Sequence, residues 1–362
     1  MIFKMKKIYL VEYIWIDGKN PVQGLRSKSR CIELEDKFEK ITINDFPLWN
    51  FDGSSTYQAK GGNSDLILQP VSFVIDPLED NGDYLVMCEV LNHDSTPHIS
   101  NMRSILSNIM AHKDLRDQDP WVGFEQEYTM FRNKLPLGWP DQGDPAPQGH
   151  YYCSIGADRA FGRNIVMQHA HACMKANIIY YGFNAEVMPG QWEFQTGYRG
   201  ANNGESIDAM TICDHTYFAR WLLYRIAENH GINISLDSKP MKGDWNGAGM
   251  HVNFSTKDMR QKDIGKETID NAIELLSKKH AEHIKCYGSK LEERLTGLHE
   301  TSSIDKFSYG DADRGCSIRI PRMTLIKGYG YLEDRRPGAN AEPYKVAARL
   351  LATIAKIDIE IE

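Results

Sequence analysis

The sequence predicts an α+β protein in two parts: a compact, mostly β unit first, then a larger unit whose antiparallel sheet is covered by helices. Three observations predict it. Residues 8 to about 95 fall into short apolar strands broken by turn clusters. After Pro120, strands alternate with stretches of helical spacing. And 362 residues are too many for one ordinary core.

In chain order, the first strand is IYLVEYIWI (8–16), closed by the turn Asp17-Gly18, and SRCIEL (29–34) follows. LILQPVSFVI (66–75) and YLVMCEV (84–90) flank the turn Asp80-Asn81-Gly82-Asp83. Between SRCIEL and LILQPVSFVI runs a polar, glycine-rich stretch from Asp52-Gly53-Ser54-Ser55 through Asp65, a loop length that usually signals function or disorder. Residues 101–115 carry Met102, Ile105, Leu106, Ile109 and Met110 on one helical face, and the domain boundary is placed there, at 1–112 and 113–362. Further helices are expected over 159–179, 205–229 (core positions Ile212, Tyr217, Trp221 and Leu222), 264–287 and 342–356. There is no internal repeat.

Composition narrows the function. A net charge of −7, from 42 basic and 49 acidic residues, argues against a nucleic-acid platform, which needs a basic face. Seven scattered cysteines with no C-x-x-C pair suit reduced thiols in a cytoplasmic protein. Lys4, Lys6 and Lys7 precede an apolar stretch, but Glu12 interrupts it and no cleavage site follows, so a first strand is expected rather than a signal peptide. No apolar run reaches membrane-spanning length.

In the segment 121–131, Val122, Phe124, Tyr128 and Met130 share one strand parity, and Glu125 and Glu127 the other. Residues two apart on a strand lie roughly 7 Å apart on one face. Carboxylates that close raise one another's pKa unless a cation lies between them, and Mg²⁺ or Mn²⁺ takes such oxygen ligands. By itself the pair suits a solvated strand face better than a metal site. Glu186 and Glu193 add two acids in aromatic and proline-containing surroundings, where a bare charge is costly. His251, Asn253 and Ser255 fall on one parity of a strand that follows the glycine-rich turn 246–249; a histidine there is also an ordinary core residue.

The C-terminal third supplies cations. Arg319 sits between Ile318 and Ile320, and Glu333 and Arg335 lie two apart. Arginine forks suit phosphate and carboxylate, although each could simply pair with a buried acid. Acids, a histidine and arginines on strand parities together favour a metal–phosphate site, where catalysis is largely positioning and charge neutralisation. There is no G-x-x-x-x-G-K-[ST] loop and no Rossmann glycine pattern, so the common nucleotide folds are excluded.

Seven segments, WNFDGSST, GFEQEYTMF, NAEVMPGQWEFQ, WNGAGMHVNFS, RLTGLHETS, SIRIPR and YLEDRRP, resemble in order and spacing the signatures of eukaryotic-type glutamine synthetase, from about residue 10 to about 355. The resemblance implies an N-terminal β-grasp domain, a catalytic domain with an antiparallel sheet and covering helices, and a homo-oligomer of stacked rings (a decamer) with active sites between subunits. It implies ATP-dependent ligation of ammonia to glutamate through γ-glutamyl phosphate, with two or three Mg²⁺ or Mn²⁺ ions per site. One metal falls to Glu127, Glu186 and Glu193, on the glutamate and ammonium side. The other, nearer the phosphates, falls to Glu125, His251 and Glu333. Arg314 and Arg319 match the ATP-phosphate arginines, and Glu193, Asn253, Ser255 and Tyr331 nucleotide-side positions. Arg294, Arg335, Asn246 and Gly247 match the glutamate site. Glu300 matches the flap acid, and Asp65 the ammonium-site aspartate delivered by a neighbouring subunit.

Two departures stand out. Asp311 and Asp313 replace neutral residues near Arg314 and are expected to face solvent, and 30–44 is longer and more charged than usual, which suggests a surface insertion. A related γ-glutamyl-amine ligase would differ in its amino-acid pocket, yet Arg294, Glu300 and Arg335 are present. A non-catalytic ring protein would lack a metal ligand, and a glycosidase built on Glu125 and Glu127 would leave the arginines and His251 without a role.

Overall fold

The computed structural model describes residues 6–35, 41–197 and 207–361. Two compact units separate: Met1–Ile105 with His171–Ile178, and Leu106–Ala170 with Ile179–Glu362.

The first unit is built on β1 (Lys6–Ile16), β2 (Leu25–Glu35), β3 (Trp49–Asp52), β4 (Asp65–Ile75) and β5 (Tyr84–Leu91), ordered β2-β1-β5-β4-β3. β1 and β5 run parallel, and the other neighbours antiparallel. Tyr9, Val11, Tyr13 and Trp15 alternate along β1 and pack with Ile32, Leu34, Phe51, Leu68 and Val86 in one core. Trp15 meets Phe51 at 4.9 Å between ring centroids, and Tyr13 meets Trp49 at 5.4 Å. The strand Trp49–Asp52 was not among those expected; it forms because Phe51 reaches the core. One expectation needs correction. Arg30 to Glu35 continues β2, with Ile32 and Leu34 buried, so this part of the expected insertion is sheet. Residues 36–40 lie outside the described residues.

After α1 (Met102–Ala111) and α2 (Lys113–Arg116), the second unit runs through β6 (Trp121–Arg132), β7 (Leu135–Pro136), α3 (Arg163–Lys175), β8 (Tyr180–Ala185), β9 (Gln191–Thr196), α4 (Ala209–Asn229), β10 (Asn233–Ser235) and β11 (Met250–Ser255). It continues with α5 (Gly265–Lys278), α6 (His280–Cys286), α7 (Leu291–Arg294), β12 (Tyr309–Asp311), β13 (Ile318–Ile320), α8 (Arg322–Lys327), β14 (Leu332–Asp334) and α9 (Pro343–Ile354). The nine-stranded sheet has the order β12-β13-β14-β11-β6-β9-β8, with β7 and β10 also paired to β6. It is antiparallel as expected except for the parallel β12–β13 pair.

Helix ends moved for local reasons. The helix expected from 205 begins at Ala209, because Asp208 caps it by accepting from the backbone of Met210 and Thr211; residues 205 and 206 lie outside the described residues. The span 264–287 breaks at Lys279 into α5 and α6, 101–115 breaks into α1 and α2, 159–179 shortens to α3, and 342–356 shortens to α9. Arg220 of α4 is fully buried beneath the sheet. It donates to Gln126 of β6 at 2.8 Å and to the carbonyls of Ala339 (3.3 Å) and Ala341 (3.0 Å). That clamp fixes β6 from behind, on the face opposite Glu125 and Glu127. All seven cysteines are free thiols, and among the described residues no helix is long and apolar enough to cross a membrane.

Candidate active site

Strand register assembles the site on one face of the large sheet. Glu125 of β6 lies opposite His251 of β11, and Glu127 opposite Glu193 of β9. Asn253 of β11 lies opposite Glu333 of β14, which in turn faces Arg319 of β13. Because side chains alternate along a strand, these pairings line the polar residues of five strands along one surface. Glu186 joins from the turn after β8, where its backbone N–H donates to Gln191 at 2.9 Å.

Two groups of ligand atoms result. Glu125, His251 and Glu333 offer atoms within 4.8 Å of one another, and so do Glu127, Glu186 and Glu193. In the first group, His251 Nδ1 is buried without a hydrogen-bond partner, 3.5 Å from Glu125 and 3.4 Å from Glu333. Its Nε2 meets an Arg294 guanidinium N–H at 3.0 Å. An orphaned imidazole nitrogen between two carboxylates fits a divalent cation with mixed N and O ligands. In the second group, burial pushes Glu127 up from 4.5 to about 7. It raises Glu186 and Glu193 well above the usual carboxylate range, with further contributions from Glu127 on Glu186 and from Glu125 on Glu193. Mutual repulsion was expected to perturb the Glu125/Glu127 pair, but for Glu127 desolvation dominates and Glu125 contributes least. An all-oxygen trio held this way fits a hard divalent cation.

Arginines border the first group directly, and Arg294 and Arg335 also act on Glu127 of the second. Arg319 donates to Glu333 Oε2 at 2.7 Å and Arg335 to Glu333 Oε1 at 2.6 Å. Arg335 also donates to the carbonyl of Arg314 at 2.9 Å and reaches that of Glu300 at 3.5 Å. Arg314 itself is exposed, as are Asp311 and Asp313, so those aspartates do face solvent; Asp313 accepts from the N–H of Gly315 at 2.8 Å. Arg294 is buried, which pulls its guanidinium down to about 10, and donates to the carbonyls of Arg335 and Arg336 at 3.1 and 3.2 Å. A Cβ at Gly249 would stand 2.5 Å from the Arg294 guanidinium and 2.8 Å from His251 Nε2, so only glycine lets the turn pass. Gly247 is as tight, against Arg294 and Ser238.

Beside the first group opens a cavity of about 510 Å³ that Glu125, Asn253, Ser255 and Tyr331 line. Asn253 holds Glu125 at 2.8 Å. Sequence reasoning missed Trp121 and Arg260, which share that wall. Arg260 lies 4.0 Å over the Trp121 ring and donates to the Ser255 hydroxyl at 3.0 Å. Trp121 has the same strand parity as Glu125, a signal that was available; Arg260 lies in the turn after β11 and had none. The structure thus gathers the six acid and histidine ligands with Arg294, Arg319, Arg335, Asn246 and Gly247. Asp65 belongs to the first unit, exposed at the start of β4 opposite Asp52.

Comparison with known proteins agrees. Residues 7–93 match the model of the glutamine synthetase β-grasp domain, and 100–284 that of the glutamine synthetase catalytic domain. A glutamine synthetase of Streptomyces viridochromogenes is 48% identical over 347 residues, covering 95% of this chain and 96% of that one. One of Xenopus laevis is 48% identical over 348 residues, covering 95% and 84%. A cryo-electron microscopy structure of Plasmodium falciparum glutamine synthetase shares the fold, with a TM-score of 0.74 at 17% identity over 96% of this chain and 72% of that one. With both domain models matched in order and relatives that similar along nearly its whole length, this chain belongs to the glutamine synthetase family.

Proposed function

We propose that the polar sheet face joins ammonia to the γ-carboxylate of L-glutamate, driven by ATP, and releases glutamine, ADP and phosphate. The observation that carries it is the pair of ligand groups that Glu125 and Glu127 of β6 set side by side, with Arg319 and Arg335 paired to Glu333. Two or three Mg²⁺ or Mn²⁺ ions held by Glu125, His251, Glu333, Glu127, Glu186 and Glu193 would neutralise the γ-phosphate and the glutamate carboxylate, so that one anion can approach another.

The chain's own groups then act in order. Asn253, Ser255 and Tyr331 face the nucleotide in the cavity, with Glu193 on the nucleotide side, while Arg314 and Arg319 take charge on its phosphates. Asn246, Gly247, Arg294 and Arg335 hold glutamate so that a carboxylate oxygen attacks the γ-phosphorus and ADP leaves. The resulting γ-glutamyl phosphate hydrolyses in open water, which the flap bearing Glu300 excludes. Asp65 of a neighbouring subunit draws in ammonium and accepts its proton; ammonia attacks the acyl carbon and phosphate leaves. On this reading the active site lies between subunits of a stacked-ring oligomer, a decamer, in the cytoplasm, and the catalytic domain is taken to begin at residue 113.

A γ-glutamyl hydroxamate assay with ATP tests the reading. Hydroxamate should form with either metal, and Asp65→Ala should lose ammonia use yet recover when mixed with a differently inactivated protein. Absence of glutamate-dependent phosphate release with both metals would sink it.

A further inference from the structure

The flap loop 296–303 carries an unusual backbone. His299 and Glu300 are consecutive non-glycine residues with φ of 52° and 58°. They are the central residues of a tight turn closed by the Thr301 N–H donating to the Leu298 carbonyl at 3.2 Å; such a turn needs φ > 0 at both positions, which glycine or asparagine adopts more easily than histidine or glutamate. At its base the loop is tied by a Thr296–Ser303 bridge and by Thr301 Oγ1 donating to the Arg294 carbonyl at 3.2 Å. The Thr301 hydroxyl also donates to the Leu298 carbonyl at 2.8 Å, and a further brace on the pair comes from outside the loop. Gln148 Nε2 donates to His299 Nδ1 at 3.0 Å, and His299 Nε2 faces Asp244 Oδ1 at 3.2 Å.

The other end of the same amide touches the glutamate turn: the backbone N–H of Asn246 donates to Gln148 Oε1 at 2.8 Å. A carboxamide has one accepting and two donating edges, so these bonds fix its direction. With Oε1 taken by Asn246, Nε2 must face an acceptor, so His299 Nδ1 is unprotonated and Nε2 carries the hydrogen toward Asp244. The chain Asn246, Gln148, His299, Asp244 therefore closes a ring of polar contacts between the turn and the flap.

We infer that Gln148 is a positioning residue that couples the glutamate-binding turn to the flap, so that order in one stabilises the other. This rests on the function proposed above only where turnover is read. Coupling between sites is reciprocal, so disturbing either end must be felt at the other. Glutamate settling against Asn246 would then firm the flap before the acyl phosphate forms, which is when water must be kept out.

Hydrogen exchange and product stoichiometry on the full-length protein test it. Gln148→Leu should speed exchange across 296–303 about tenfold, the change expected for one lost hydrogen-bond bridge. His299→Leu, made in the flap, should speed exchange in the 244–248 turn as well. His299→Asn keeps an acceptor near the Nδ1 position and tolerates the left-handed backbone, so it should restore wild-type exchange at both places. In turnover, Gln148→Leu should release more phosphate per glutamine formed, because an unlatched flap lets water reach the intermediate; a residue that only supported the fold would lower both products together. Unchanged exchange in the turn for His299→Leu overturns the coupling, as does His299→Asn behaving like His299→Leu. An unchanged phosphate-to-glutamine ratio in an active Gln148→Leu enzyme also overturns it. If the wild type shows no glutamate-dependent phosphate release, the proposed function fails, and the exchange arms still decide the coupling.

Discussion

The two ligand groups share strand β6 but solve their charge problem in opposite ways. Glu333, fully buried, has a guanidinium on each oxygen, and the neighbouring His251 is kept neutral, its pKa driven well below the ordinary value by burial and by Arg335. Glu127, Glu186 and Glu193 have no ion-pair partner among the described residues; Asn184 and Gln195 amides hold two of them, and burial makes all three reluctant to ionise. One group is compensated by direct ion pairs; in the other only Glu127 feels Arg294 and Arg335, and burial outweighs both. A buried carboxylate cluster compensated so weakly gains stability when a cation or protons arrive.

The largest expected effect follows from that contrast. Glu333→Gln removes the charge that both Arg319 and Arg335 grip, and should destabilise the metal-free protein by about 3 kcal/mol, as breaking a buried ion pair does. Glu193→Gln removes a charge from a repelling trio, and should leave the metal-free melting temperature unchanged or raise it. Each change should also weaken binding of one cation roughly 100-fold or more, since even outer-sphere partners are worth 10–100-fold. Thermal melts with and without Mn²⁺, beside Mn²⁺ titration followed by electron paramagnetic resonance, check both. Equal destabilisation by the two substitutions would erase the distinction between the groups.

A second test uses pH. Glu127 has a folded value near 7 against an ordinary 4.5, so between these the folded chain holds more protons than the unfolded one. Stability therefore falls as pH rises through that window and is greatest below it. Glu186 and Glu193 push the same way. The metal-free melting temperature should drop by several degrees from about pH 5 to about pH 7.5, and saturating Mn²⁺ should abolish the drop. Mn²⁺ binding at about pH 6 should also release protons from the all-glutamate group but not from the neutral His251, which calorimetry in buffers of different ionisation heat resolves. A proton yield that Glu193→Gln leaves unchanged would place the titrating groups elsewhere.

How much of this was legible beforehand depends on what each residue answers to. The strand parity of Glu125 and Glu127 was readable because Val122, Phe124, Tyr128 and Met130 mark the buried face. The register that sets His251 opposite Glu125 and Glu193 opposite Glu127 was not, since pairing joins segments far apart in sequence; the grouping of ligands came from the family resemblance. The WNFD strand was hidden among turn residues, and the break at Lys279 falls within an unbroken helical pattern. Gln126 and Arg220 show the limit most clearly. Each is a polar residue in an apolar run, and only the folded sheet shows that they satisfy one another beneath the site.

The smallest expected effects probe the amides that hold each group. Asn253 donates to Glu125 at 2.8 Å and Asn184 to Glu186 at 2.7 Å, so each amide serves one group only. Removing either by substitution with alanine should cost roughly 1 kcal/mol of cation affinity, about fivefold, at its own site and nothing at the other. The consequences should still differ in kind. Asn253 also lines the cavity beside Glu125, so Asn253→Ala should raise the KM for ATP together with the loss of metal affinity. Asn184→Ala frees a carboxylate that is already reluctant to ionise, and its hydrogen bond is among the influences lowering Glu186. Without that bond Glu186 is pushed higher still, so the weakened cation binding of Asn184→Ala should recover as pH rises, while that of Asn253→Ala should not.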